Sequence, residues 1–242
     1  VNEILFRDDH FIAVEKRSGL VVHPTAMARD AVALLPIVRK MVGGPVYPLH
    51  RLDRGTSGLV LFALSQEAAR RMGDLIQTRQ VDKQYLAVVR GYVDDCRVDH
   101  AIDDGEHQGK RVECVTDFYS EERVELPYEV GRYATGRYNL VRARLLTGRR
   151  HQIRRHAAHL SHPVIGDTTH GDSDHNQLFR DAFKLSRLLL MATSMAFEHP
   201  FTQESVTIEA PIPARLQRVF DRFSWPAPKP WRELNQPEVI HA

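Results

Sequence analysis

The chain has 242 residues, a formal net charge of +2, 43% hydrophobic and 26% charged residues, and two cysteines. That length suffices for one large domain or two small ones, and that composition excludes a disordered chain. Cys96 and Cys114 are too few for a disulfide framework or a cysteine metal site, which suits a reducing compartment, and no apolar stretch reaches the roughly 18 residues of a membrane span.

Residues 4–15 read as a hairpin, with Ile4, Leu5 and Phe6 and then Phe11 to Val14 flanking a polar, turn-prone gap. Residues 20–28 lack the basic-then-apolar order of a signal peptide, so a cytoplasmic location is expected. Residues 30–42 have helical apolar spacing, interrupted by Pro36 and ended by Gly43, Gly44 and Pro45. In residues 50–64 a polar loop, His50 to Ser57, leads into a continuous apolar run at 59–64 that suits a buried strand. Asp53 sits there between Arg51 and Arg54, and adjacent positive charge keeps such a carboxylate ionised. Ser65 is a good helix N-cap, and Ala68, Ala69, Met72, Leu75 and Ile76 follow at helical spacing as a core stripe.

Residues 83–91 read as a strand with Tyr85, Ala87 and Val89 on one face. Residues 92–127 are charged and weakly patterned, with an acidic patch at Asp94, Asp95, Asp99, Asp103, Asp104 and Glu106. They read as a variable connection with one or two edge strands, and nothing places two of these carboxylates across a shared site as glycoside hydrolysis requires. Between Val130 and Gly166 there are eight arginines and no acidic residue. Positive charge concentrated in this way predicts a polyanion as partner. Within it, residues 138–146 alternate: Val141, Ala143 and Leu145 are expected to pack inward, with Arg142 and Arg144 facing out. Residues 152–160 read as a short helix ended before Pro163. His151, His156, His159, His162 and His170 raise a zinc site, but no HExxH motif is present and Arg149, Arg154 and Arg155 would surround the cation, so no metal is expected. A polar stretch at 172–186 leads into a helix, residues 197–211 read as a closing hairpin, and 213–223 as an amphipathic helix. Prolines 226, 228, 230 and 237 predict an extended, partly disordered tail over 226–242, after a single domain over 1–225.

Five stretches carry a resemblance. His50-Arg51-Leu52-Asp53 followed by Thr56-Ser57-Gly58, then Lys83-x-Tyr85-x-Ala87-x-Val89-x-Gly91, then Thr147-Gly148-Arg149-x-His151-Gln152-Ile153-Arg154 resemble, in order, the three motifs of the RluA-type pseudouridine synthases. Lys16 to His23 resembles the family's KPSG-x-x-x-H segment, with Arg17 in place of Pro, and residues 188–192 resemble its LLLHA segment, with Met191 in place of His. Gly55 is a third departure. The resemblance implies an α+β pseudouridine synthase fold: a mixed, largely antiparallel central sheet with flanking helices and a basic cleft. It implies an isomerase that breaks the uridine N1–C1′ bond and joins C5 to C1′, with no cofactor and no metal.

In the roles the family implies, Asp53 is nucleophile at C1′ or base, Tyr85 stacks on the uracil, and Arg154 pairs with Asp53. Arg51 fills the space of a flipped base, Leu190 helps wall the uracil pocket, and Arg54, Arg142, Arg144, Arg149, Arg150 and His151 bind RNA. The text around residues 131–138 and 154–172 is most similar to the branch that modifies uridine 65 in the T-stem of tRNA. A monomer acting on tRNA is therefore expected, with ribosomal RNA as the alternative substrate. A catalytically impaired RNA-binding protein is the alternative from another class.

Overall fold

The computed structural model describes residues 3–24, 31–103, 105 and 109–240. Asp104 and Glu106 of the acidic patch, and the end of the 20–28 stretch, lie outside the described residues. In chain order the elements are β1 (Ile4–Arg7), β2 (Phe11–Lys16), α1 (Leu34–Val42), β3 (Tyr47–Pro48), β4 (Ser57–Ala63), α2 (Gln66–Gln77), β5 (Asp82–Arg90), β6 (Cys96–Asp99), β7 (Val115–Leu126), β8 (Gly136–Leu145), α3 (Gln152–His159), α4 (Ser173–Phe183), β9 (Leu190–Glu198), β10 (Ser205–Glu209), α5 (Ala214–Arg222) and β11 (Val239–Ile240). This is an α+β set, and the chain divides into two compact units, residues 1–83 with 191–211 and residues 84–190 with 212–242.

In the first unit, β1 and β2 form the expected hairpin, and β2 runs antiparallel to β4 from Phe11↔Ala63 to Lys16↔Gly58. All seven β4 residues are buried, as a continuous apolar run requires. The N-terminal residues of β4 pair in parallel with β9, Ser57↔Met191 and Gly58↔Ala192. Gly58 has φ +109, and a Cβ there would lie 2.0 Å from the Ala192 carbonyl oxygen. Only glycine permits that approach. Helix α2 begins where expected, with the Ser65 hydroxyl accepting from the Ala68 amide at 3.1 Å. Pro36 does not interrupt α1: it lies in the first turn, where the missing N–H has no intrahelical partner to lose. Gly43 closes α1 in the left-handed conformation.

The second unit is built on β5–β8–β7–β6–β11, antiparallel except where β11 runs parallel to β6. The weakly patterned 92–127 region was expected to supply only edge strands. It holds β7, twelve residues long and hydrogen-bonded on both sides. On one sheet face Leu86, Val88, Tyr138 and Leu140 join Phe179 of α4, Leu216, Val219 and Phe220 of α5, and Trp225 in a buried core. On the other face Tyr85, Ala143 and Phe118 are cross-strand neighbours, and α3 lies over that face through Gln152 and His156, which both bond Thr116 Oγ1.

The expectation that Arg142 faces RNA is overturned. Arg142 and Arg144 do share a face, but that face is covered, and Arg142 is 0% exposed. Its Nε donates to Glu121 at 2.7 Å, its Nη1 to Gln84 Oε1 at 3.2 Å and the Pro230 carbonyl at 3.0 Å, and its Nη2 to the Lys229 carbonyl at 2.7 Å. Glu121 is the extra residue of a β-bulge in β7, between Ser120↔Val141 and Glu122↔Leu140. Such a bulge re-aims a side chain, here toward Arg142. The proline-rich tail is extended but anchored. Gln84 Nε2 donates to the Arg232 carbonyl at 2.7 Å, the Tyr119 hydroxyl to that of Asn235 at 2.6 Å, and the Arg97 amide to that of Glu238 at 2.7 Å. Arg142→Ala is therefore expected to destabilise the fold by about 3 kcal/mol, since it breaks a buried, hydrogen-bonded ion pair. It is expected to leave the salt dependence of RNA affinity unchanged; thermal melts and binding titrations at several salt concentrations check the two halves.

Candidate active site

The Asp53 loop is held by a second loop of the same unit. Lys16 ends β2 fully buried, with Nζ donating to the carbonyls of Leu20 at 2.7 Å, Arg17 at 3.2 Å and Arg54 at 3.3 Å. The Ser18 hydroxyl donates to the Gly55 carbonyl at 2.7 Å, the Gly19 amide to the Arg54 carbonyl at 2.7 Å, and Arg54 Nε back to the Gly19 carbonyl at 3.2 Å. A buried ammonium is tolerable only when carbonyl dipoles replace its water, and that requirement ties the two loops together. The Thr56 amide closes the turn onto the Asp53 carbonyl at 3.1 Å. Asp53 is thus half-buried on a fixed turn, between exposed Arg51 and exposed Arg54.

His50, which opens this loop, is a fixed neutral imidazole. Its Nε2 accepts the Leu61 amide at 3.1 Å, so the proton sits on Nδ1, which is shut off from solvent without a partner among the described residues. Burial, helped by the charge of Lys83, pushes its pKa down to about 3. His156 in α3 is similar: burial pushes it down to about 4, with Nε2 bonded to the His100 carbonyl at 3.0 Å. Both depressed values work in one direction. The unfolded imidazoles take up protons below about pH 6.5 and the folded ones do not, so stability is expected to fall as pH drops through 6.5 toward 4. Urea melts across that range check it; His50→Gln should flatten the decline.

In the second unit Tyr85 is 6% exposed and points to the sheet face that carries α3. The loop before α3 is folded around Gln152: its Oε1 accepts the Arg149 amide and the Thr147 hydroxyl, both at 2.9 Å, and its Nε2 donates to the Val115 carbonyl at 2.8 Å. Arg154, 7% exposed, makes a two-pronged pair with Asp167, Nε to Oδ2 and Nη2 to Oδ1, both at 2.7 Å. The amides of Thr169 and His170 also donate to Oδ1, at 2.9 and 3.0 Å. Burial works to raise the Asp167 pKa, but the guanidinium and the two amides override it, and the carboxyl stays below its ordinary value. Gly166, at φ +79, brings this carboxylate in: a Cβ there would sit 1.9 Å from the Arg187 carbonyl oxygen. His151 begins α3 in the left-handed conformation, its Nδ1 3.1 Å from His170 Nε2. Leu190 is buried at 3%. Arg144, Arg149 and Arg150 are half-buried, with Arg149 Nε donating to the Glu113 carbonyl at 3.2 Å.

The predicted residues thus fall in two groups. Arg51, Asp53 and Arg54 share one clamped loop; Tyr85 and Arg154 belong to one sheet face and the helix over it. Sequence reasoning missed the clamp of Lys16 and Ser18, and missed Asp167 as a partner of Arg154. Lys16, fully buried at the end of a strand that opens with the apolar run Phe11 to Val14, was the available signal for the first.

Residues 10–159 match the family described as RNA pseudouridylate synthase. The chain belongs to that family. It is 39% identical to a tRNA pseudouridine synthase C of Vibrio vulnificus over 236 residues, covering 93% of this chain and 96% of the relative. It is 38% identical to one of Haemophilus influenzae, covering 92% and 98%. Among solved structures, human RNA Pseudouridylate Synthase Domain Containing 1 superposes with TM-score 0.67 at 26% identity, covering 95% of this chain and 97% of that one. Human RNA Pseudouridylate Synthase Domain Containing 4 superposes at 0.70 and 23%, which supports the fold. The expected α+β pseudouridine synthase fold with a mixed, mostly antiparallel strand arrangement is borne out.

Proposed function

We propose that this protein is a tRNA pseudouridine synthase, a monomeric isomerase that converts uridine 65 of the T-stem without metal or cofactor. The observation that carries the reading is the near end-to-end similarity to tRNA pseudouridine synthases C, with Asp53, Tyr85 and Arg154 all present. The reaction needs no electron carrier: the N1–C1′ bond breaks, C5 joins C1′, a proton leaves C5 and N1 gains one. Asp53, on a turn that Lys16 and Ser18 keep rigid, acts at C1′ as nucleophile or on the sugar as base. In this reading Arg154, oriented by Asp167, is the charge-assisted partner of the Asp53 carboxylate. Tyr85 stacks on the uracil, and Leu190 walls its pocket. A base in a stem must leave its stack to react, and Arg51 fills the space it leaves. Arg54, Arg149, Arg150 and His151 meet phosphates of the folded RNA in a basic cleft.

Carbodiimide-dependent primer extension on tRNA treated with the protein tests the assignment. A new stop reporting residue 65, and none on ribosomal RNA, is expected. A stop elsewhere, or on ribosomal RNA alone, would reassign the substrate.

A further inference from the structure

At the Arg90 end of β5, five residues and roughly 17 Å along the strand from Tyr85, the second unit holds a cavity of about 330 Å³. Tyr133, Arg137 and His162 line it. We propose that this cavity is a second RNA contact, which takes one unstacked nucleotide of the substrate RNA with its base on the ring of Tyr133. The proposal rests on the reading of the chain as an RNA-modifying enzyme, but its test does not.

Each element of the cavity presents a distinct chemical feature. Tyr133 is 56% exposed, unusual for a large aromatic side chain. It is not on a loose loop: the amides and carbonyls of Val130 and Tyr133 bond reciprocally at 2.9 and 3.1 Å across a tight turn at Gly131, whose φ is +57. Arg132 backs the ring, with its guanidinium carbon 5.1 Å from the ring centroid and its Nη2 donating to the hydroxyl at 3.0 Å. Arg137 donates Nε to Glu125 at 3.1 Å, and its guanidinium carbon lies 5.8 Å from the Tyr92 ring centroid. Its Nη1 and Nη2 have no hydrogen-bond partner among the described residues, and they form a two-donor edge fit for a phosphate or a base carbonyl. His162 Nδ1 donates to the Arg90 carbonyl at 2.8 Å, so its Nε2 is an acceptor, also without a protein partner among the described residues. The ring reaches that place because residue 91 is glycine: a Cβ there would lie 2.6 Å from His162 Nδ1.

An aromatic face, a donor pair and a ring-nitrogen acceptor around a nucleoside-sized space match the parts of a nucleotide. Bulk charge is not the main attraction, because Asp172 holds Arg90 at 2.6 Å and Glu125 holds Arg137. Stacking on Tyr133 is then the term that decides.

Tyr133→Ala, Tyr133→Phe and the wild type are compared for tRNA affinity at several salt concentrations, with turnover read on the same RNA. The alanine variant is expected to bind about tenfold more weakly, with an unchanged salt slope, and the phenylalanine variant to bind like wild type. In tRNAs carrying one abasic nucleotide at a time, a single position should cost the wild type affinity and cost Tyr133→Ala nothing further. Wild-type affinity in the alanine variant, an equal loss in the phenylalanine variant, or no such position would overturn the proposal. A wild type that binds tRNA without converting it would instead sink the proposed function and leave this comparison readable.

Discussion

Asp53→Asn is expected to reduce pseudouridine formation by at least about 10³-fold, the scale of a lost acid–base or nucleophilic group, while tRNA affinity stays within about twofold. The turn around residue 53 is fixed through backbone atoms: Lys16 and Gly19 bond the Arg54 carbonyl, Ser18 bonds that of Gly55, and the Thr56 amide bonds that of Asp53 itself. None of these bonds uses the Asp53 carboxylate, so an amide of the same shape leaves the turn in place. Single-turnover assays beside binding titrations separate the two quantities. A variant that turns over at more than a few per cent of the wild-type rate would remove Asp53 from the chemistry.

Asp167→Ala is expected to carry the largest stability cost, about 3–5 kcal/mol, because it removes the two-pronged buried carboxylate partner of Arg154 and the acceptor of two backbone amides together. For a chain of this length that is a fall in Tm of roughly 10 °C. Asp167→Asn keeps the volume and part of the acceptor set and should fall between the two. The pH dependence has a definite sign. The folded carboxyl titrates below its ordinary value, so its contribution is full above about pH 4, the unfolded value, and fades as pH falls through the folded one. The gap between wild type and Asp167→Ala should therefore narrow below about pH 4. If Arg154 serves the reaction through its orientation, Asp167→Asn also lowers the single-turnover rate at 25 °C, where the variant is still folded. Unchanged chemistry with lowered Tm would assign the pair to stability alone.

Much of the fold was legible because local signals and burial agree. The 4–15 hairpin, the Ser65 cap and the 59–64 run each state one preference, and the structure satisfies it. β7 was illegible for a physical reason: Thr116, Asp117, Ser120, Glu121 and Glu122 carry no apolar alternation, yet partners elsewhere in the chain satisfy Thr116, Asp117 and Glu121. Arg97 holds buried Asp117 at 2.6 Å, and Gln152 and His156 hold Thr116. Arg142 misled for the same reason. A window from 130 to 166 without acid looks uncompensated, but the compensation lies outside it, in Glu121 and in the carbonyls of residues 229 and 230. The Asp53 loop could be located from its motif, whereas its clamp closes on the backbone carbonyls of residues 54 and 55, and Lys16 was its one signal in the sequence.

Release of tritium from tRNA carrying 5-tritiated uridine measures directly whether Asp53 serves uridine isomerisation in tRNA, since C5 must lose its hydrogen as it joins C1′. One equivalent of tritium per tRNA with the wild type, none with Asp53→Asn, and none from ribosomal RNA is the predicted result. Release that persists in Asp53→Asn, or that occurs from ribosomal RNA and not from tRNA, would contradict it.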